Sequence, residues 1–101
     1  MLPFHPEAGA ELEAAVAWLE EERPGHGDLL FSDVSKKVAQ ATALPESGAP
    51  VLGFEDRYDV RAYTLGRFRY RVITAVASGS PAVLAVAHMS REPGYWRDRL
   101  K

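Results

Sequence analysis

Between residues 7 and 41 the apolar positions recur three or four apart, and from residue 59 onward they alternate with polar ones or run together. The first spacing lays a stripe along a helix, and the second builds strands. Leu12, Val16 and Leu19 make one stripe, leaving Glu11, Glu13, Glu20 and Glu21 for the wet side. Pro6 suits a first helical turn, where its missing N–H is not needed, and Glu7 and Glu11 lie near the positive end of the helix dipole. Arg23-Pro24-Gly25 ends this helix. Asp28 is the expected N-cap of a second helix, whose stripe is Leu30 or Phe31 with Val34, Val38 and Ala41, while Lys36 and Lys37 face water. Two helices joined by so short a turn pack antiparallel, which predicts a hairpin over about 7–41 burying Leu12, Val16, Leu19, Phe31, Val34 and Val38. Residues 2–5 can form only a short strand, confined by Pro3 to an edge or a strand start.

Residues 43–57 carry two prolines and two glycines and read as a connection, long enough to be functional or to hold a turn of its own. A strand is expected over 59–65, then a turn at Leu65-Gly66-Arg67. Phe68, Tyr70, Val72 and Thr74 next alternate with Arg69, Arg71 and Ile73 in a two-faced strand. Residues 78–81 make the following turn, and 82–88, apolar on both faces, predict a central strand. Helices first and a meander after give an α+β fold. A short N-terminal strand and an antiparallel helical hairpin pack on a C-terminal antiparallel β-meander (about 59–88), with a tail over 89–101.

The chain of 101 residues suits one domain, 1–101, with a single modest core. With no cysteine there is no disulfide framework and no thiolate metal site, and no His/carboxylate spacing supports a metal, so no cofactor is expected. No basic leader precedes a long apolar run, and no eighteen-residue apolar stretch exists, so the expectation is a cytoplasmic protein away from membranes. Charge sharpens this picture. Residues 1–56 hold three Lys and Arg against eleven Asp and Glu, a balance of −8, and residues 57–101 hold nine against three, a balance of +6. Either the basic half meets an acidic partner, nucleic acid or acidic peptide, or the two halves attract each other inside the fold.

Candidate chemistry concentrates near the C-terminus. An apolar run ends at His88, Arg91 follows, and Pro93-Gly94 turns the chain into Tyr95-Trp96-Arg97, which should bring His88, Arg91, Tyr95 and Arg97 to one rim. Histidine side chains in general change charge near neutrality, so His88 suits proton transfer, or else simply ends a strand. Arg61, Arg67, Arg69 and Arg71 fall on adjacent strands and would suit phosphate or carboxylate if they share a face, or form a solvated side of the sheet. Tyr95 and Trp96 can stack on a partner or cover the edge of the core. Trp18 either packs or belongs to a partner-facing helix surface. His5 and His26 sit at helix starts and read as turn residues.

Several segments taken in order resemble the RelE/ParE superfamily, and specifically ParE-type toxins of type II toxin–antitoxin systems. They are Phe4-His5-Pro6-Glu7-Ala8 at the first strand–helix junction, 17–27 across the helical turn, 60–72 at the central hairpin, and 85–99 at the C-terminus. The resemblance implies a toxin held in a hetero-oligomer by a cognate antitoxin, with DNA gyrase as the target. It also implies, as the second reading, a RelE-like ribosome-dependent endonuclease that cuts messenger RNA without metal, using Arg71, His88, Arg91 and Tyr95. A third reading is a toxin fold that only binds its partner. The nuclease branch carries two lysines where this chain has Ala62 and Thr64, neither of which can act as a base or neutralise phosphate. Under the binding readings, the expected partner surface is Trp18, Arg61, Arg67, Arg69, Arg71, Tyr95 and Trp96.

Overall fold

The chain enters its first helix, α1 (Pro6–Glu22), through Pro6, whose fixed φ suits the opening turn. The amide of Glu7 donates to Nδ1 of His5 at 3.1 Å, so His5 caps the helix as a turn residue. The computed structural model describes residues 2–54, 57–77 and 79–100. Met1, Glu55 and Asp56 in the expected connection, Ser78 in the expected second turn, and Lys101 in the tail lie outside the described residues. Helix α2 (His26–Ala43) begins after Gly25, which adopts a φ of 91°, a left-handed backbone that favours glycine.

The hairpin departs from the sequence expectation at three places. Asp28 is not the N-cap, because α2 starts two residues earlier and Asp28 falls in its first turn. The capping group is the Glu20 carboxylate of α1, which accepts the amides of Gly25 at 2.9 Å and Gly27 at 3.0 Å. An anion there satisfies free N–H groups and meets the positive end of the dipole. Phe31 is 54% exposed, whereas Leu30 is fully buried. Leu30, Val34, Val38 and Ala41 fall on one helical face, and Phe31 lies one step round from it. On α1 the buried residues are Ala8 and Ala15, while Leu12, Val16 and Leu19 are only half-buried and pack against the core.

Strands β1 (Ala49–Pro50), β2 (Asp59–Thr64), β3 (Tyr70–Ala77) and β4 (Ser80–His88) form an antiparallel sheet in that order. Residues 2–5 add a single parallel bridge, Phe4 to Val83, in which the His5 amide donates to the Val83 carbonyl and the Val83 amide to that of Pro3, both at 2.8 Å. At Val83, therefore, β4 has neighbours on both sides, as its apolar character predicts. The connection also gives the sheet its edge strand, β1. Tyr63 donates its hydroxyl to the Pro45 carbonyl at 3.1 Å, and Arg61 donates to the carbonyls of Glu46 at 2.9 Å and Gly48 at 3.1 Å. Only glycine fits at position 48, since a Cβ would stand 2.6 Å from the Tyr63 ring. The central turn is longer than expected. Strand β3 starts at Tyr70, which leaves Phe68 and Arg69 in the loop, and β4 starts at Ser80, which places Pro81 in a strand opposite Val76.

Both faces of the sheet are covered. Tyr63, Leu65, Val72, Val83 and Val86 pack under Leu30, Val34 and Val38 of α2. On the reverse face Val60, Ile73, Ala75, Leu84, Ala85 and Ala87 gather around Trp96, with Phe54 and Tyr58 at the margin. Each large apolar side chain buried in these layers contributes about 1.5–3 kcal/mol relative to exposure.

Candidate functional site

The site begins with an irregularity in β4. Ile73 pairs with Ala85 but Thr74 pairs with Val83, so Leu84 is an extra residue without a partner in the ladder. A bulge of this kind re-aims the side chains beyond it. Val83 faces the helices, and after the bulge so do Val86 and His88, while Ala85 and Ala87 turn to the reverse face. His88 thus lies opposite Tyr70, ring edge against ring face, with centroids 4.9 Å apart. Its Nδ1 accepts the Ser90 amide at 3.0 Å and sits 2.7 Å from the Ser90 hydroxyl. The neutral ring accordingly carries its hydrogen on Nε2.

The tail then folds back onto α1. Gly94, at φ 76°, makes the turn that Pro93-Gly94 predicts. Tyr95 donates its hydroxyl to Oε2 of Glu11 at 2.6 Å. Arg99 clamps both oxygens of the same carboxylate, each at 2.9 Å, and also donates to the Leu84 carbonyl at 3.1 Å. The Val86 amide adds a fourth bond to Glu11, at 3.0 Å. The Arg91 guanidinium lies over the Tyr95 ring, 3.9 Å from its centroid, a cation–π stack. Burial raises the Tyr95 pKa, and its bond to the Glu11 carboxylate raises it further, because both disfavour the phenolate. Beside this cluster runs a groove of about 340 Å³ between α1 and the end of the sheet. Trp18, 58% exposed, forms its outer wall, and Tyr70, His88 and Arg91 form the facing rim.

The other expected residues are placed differently. Arg71 follows Tyr70 in β3 and so projects from the reverse face, between Thr64 and Ala87 in register, with its Nε buried and unbonded. It does not join His88, Arg91 and Tyr95. Arg61 is spent on Asp59, at 2.9 Å, and on holding the connection. Arg67 is paired with Asp33 of α2, through contacts of 2.8 and 3.1 Å that lower the Asp33 pKa, so it stands on the helix side and not beside Arg71. Arg69 is exposed in the loop. The four arginines therefore do not form one face, because the strand starts too late and two of them have partners. Trp96 is buried against Phe54, centroids 5.5 Å apart, and is a core residue of the reverse face, unavailable for stacking on a partner. Arg97 leaves the expected rim and lies 5.4 Å from the Phe54 centroid. Sequence reasoning missed Glu11, whose partners are set by the tertiary fold, and Glu20, whose partners lie five and seven residues on across the helical turn. No cluster of three or more potential metal ligands occurs among the described residues, and no described helix is long and apolar enough to cross a membrane.

A two-helix hairpin laid on a four-stranded antiparallel sheet, with a C-terminal tail folded back beside the first helix, is a RelE/ParE-like α+β architecture. The family model described as "ParE toxin of type II toxin-antitoxin system, parDE" matches residues 2–93 of the 101. The chain belongs to that family and is a type II toxin–antitoxin toxin, a membership that implies an antitoxin partner. No curated protein matches it. Tyr95 and Arg99, which close the cluster on Glu11, lie beyond the matched residues.

Proposed function

We propose that this toxin is a single-domain cytoplasmic protein that acts by binding another protein, inhibiting growth through DNA gyrase, and that a cognate antitoxin neutralises it in a hetero-oligomer. The observation that carries the reading is the commitment of Tyr95. A metal-free nuclease needs a proton donor for the leaving oxygen, and this phenol is held by Glu11 with its pKa raised. Arg71 stands on the other face of the sheet from His88. Ala62 and Thr64 offer neither base nor cation. The unbonded Arg71 Nε favours the second reading, RNA cleavage, since a guanidinium donor suits phosphate.

Induced expression with and without a cognate antitoxin separates the alternatives. Chromosomal breaks and blocked supercoiling by purified gyrase, both relieved by the antitoxin, are expected. Ribosome-dependent cuts in a purified translation system, lost in Arg71→Ala, would overturn the proposal in favour of the nuclease. Growth without any effect, despite a stable antitoxin complex, would leave a partner-binding fold without toxicity.

A further inference from the structure

We propose that the pocket between α2 and the turn joining β2 to β3 holds phosphate groups of a double-stranded DNA backbone. The pocket has a volume of about 420 Å³, with Asp33, Lys36 and Lys37 lining it from the helix and Gly66 and Arg67 from the turn. Residues 1–56 are strongly acidic, yet two of the three lysines in the whole sequence stand here. Asp33 precedes Lys36 and Lys37 by three and four residues, the spacing at which a carboxylate on a helix ordinarily pairs with a cation. It pairs instead with Arg67, through Nε at 3.1 Å and Nη2 at 2.8 Å. Neither lysine has a salt-bridge partner among the described residues. Asp33 thus fixes the Arg67 fork, whose side chain is 51% exposed and whose Nη1 has no hydrogen-bond partner among the described residues. Three cations against one carboxylate leave the pocket an excess of two positive charges.

Adjacent residues on a helix project about 100° apart, so Lys36 and Lys37 reach towards separate anionic groups. A row of phosphates supplies such groups at a repeated spacing, and lysine meets phosphate as a point charge without demanding a fixed angle. The turn adds to this, because the amides of Gly66 and Arg67 have no hydrogen-bond partner among the described residues, and free backbone amides bond phosphate oxygens. The lining offers little to a peptide or to a base. Its one large apolar residue, Leu65, is 4% exposed, so an apolar side chain finds no anchor. No aromatic side chain lines the pocket, whereas single strands are gripped by stacking their bases on aromatics beside a basic groove. What remains is a sequence-independent contact with a duplex backbone. The choice of DNA over another duplex rests on the gyrase reading above, since that target works on DNA; the anion site itself does not.

The test titrates the full chain into a fluorescein-labelled DNA duplex and follows anisotropy over a salt series. Saturable binding is expected, with the logarithm of the association constant falling against that of salt at a slope of about −2 to −3, as two or three phosphate contacts require. A rise from about 50 to about 200 mM salt should then weaken binding roughly 16- to 64-fold. Lys36→Gln and Lys37→Gln should each make the slope shallower by about one, while Lys36→Arg keeps it, all with thermal unfolding unchanged. An unaltered slope in both Gln variants, or no saturable binding at about 50 mM salt, would overturn the proposal. So would tighter binding of a single strand, an RNA duplex, ATP or a poly-glutamate peptide. Gyrase-dependent DNA breaks on induction report on the toxin reading separately. Breaks without duplex binding remove only this site, and duplex binding without breaks removes only the target.

Discussion

Glu11 shows how one side chain can set the behaviour of a whole segment. Partial burial alone would raise its pKa, but the bonds from Arg99, Tyr95 and the Val86 amide outweigh this and hold it below the ordinary carboxylate range. A depressed folded-state pKa means that Glu11 stabilises the protein above the unfolded value, about 4.3, and that this contribution disappears as the pH falls through the lower folded value. Glu11→Gln should cost about 2–3 kcal/mol at neutral pH, because it leaves the half-buried Arg99 without its counter-charge. The gap to the parent should close in acid, which urea unfolding across a pH series will read. Tyr95→Phe keeps the ring under Arg91 and removes only the donor, so a smaller loss, about 1 kcal/mol, is expected in the same assay. Glu11 reads as one more wet-side glutamate in the sequence because its partners Val86, Tyr95 and Arg99 lie 75, 84 and 88 residues further along the chain. No local spacing encodes such contacts.

At the scale of elements, the helical hairpin depends on a close approach. At Gly27 a Cβ would stand 2.6 Å from the Val16 carbonyl and 2.9 Å from the Glu20 carboxylate. A backbone carbonyl cannot swing aside as a long side chain can, so Gly27→Ala should destabilise the fold by about 1–3 kcal/mol and disturb the Glu20 cap. Thermal unfolding of Gly27→Ala beside Glu20→Ala measures this, with the alanine at 20 expected to cost about 1 kcal/mol as a lost cap. Val34 is fully enclosed between α2 and the sheet, and Val34→Asp should abolish cooperative unfolding, since a lone charge there has no partner. The hairpin and the meander were readable because their apolar spacings are local and long. Phe31 was misassigned because a stripe four residues wide admits two neighbours at its first turn. The position of His88 was readable but its facing was not. The bulge at Leu84 shifts the alternation by one residue, and nothing in an all-apolar run marks where that occurs.

Across the whole molecule, the acidic and basic halves of the chain are partly each other's partners. Arg99 on Glu11 and Arg67 on Asp33 tie the tail and the central turn to the helices. Arg69 and Arg91 stay exposed, so part of the basic excess remains available to an outside partner. Association with the antitoxin should therefore slow as salt rises, by a modest factor, in stopped-flow mixing. A rate independent of salt would remove the basic half from the docking event. His88, Arg91 and Tyr95 were legible as a group from residue type, but Arg71, Trp96 and Arg97 were not separable from them and Trp18 was not joined to them, because strand facing and tail direction come only from the assembled sheet. The pairing of Glu11 with Arg99 has one more effect. The Val86 N–H and Leu84 C=O lie on the outer margin of β4, the groups to which a foreign strand would join, and this ion pair occupies both. A neighbouring copy therefore meets two backbone groups that are already bonded, which removes them as points at which a foreign strand could join this edge.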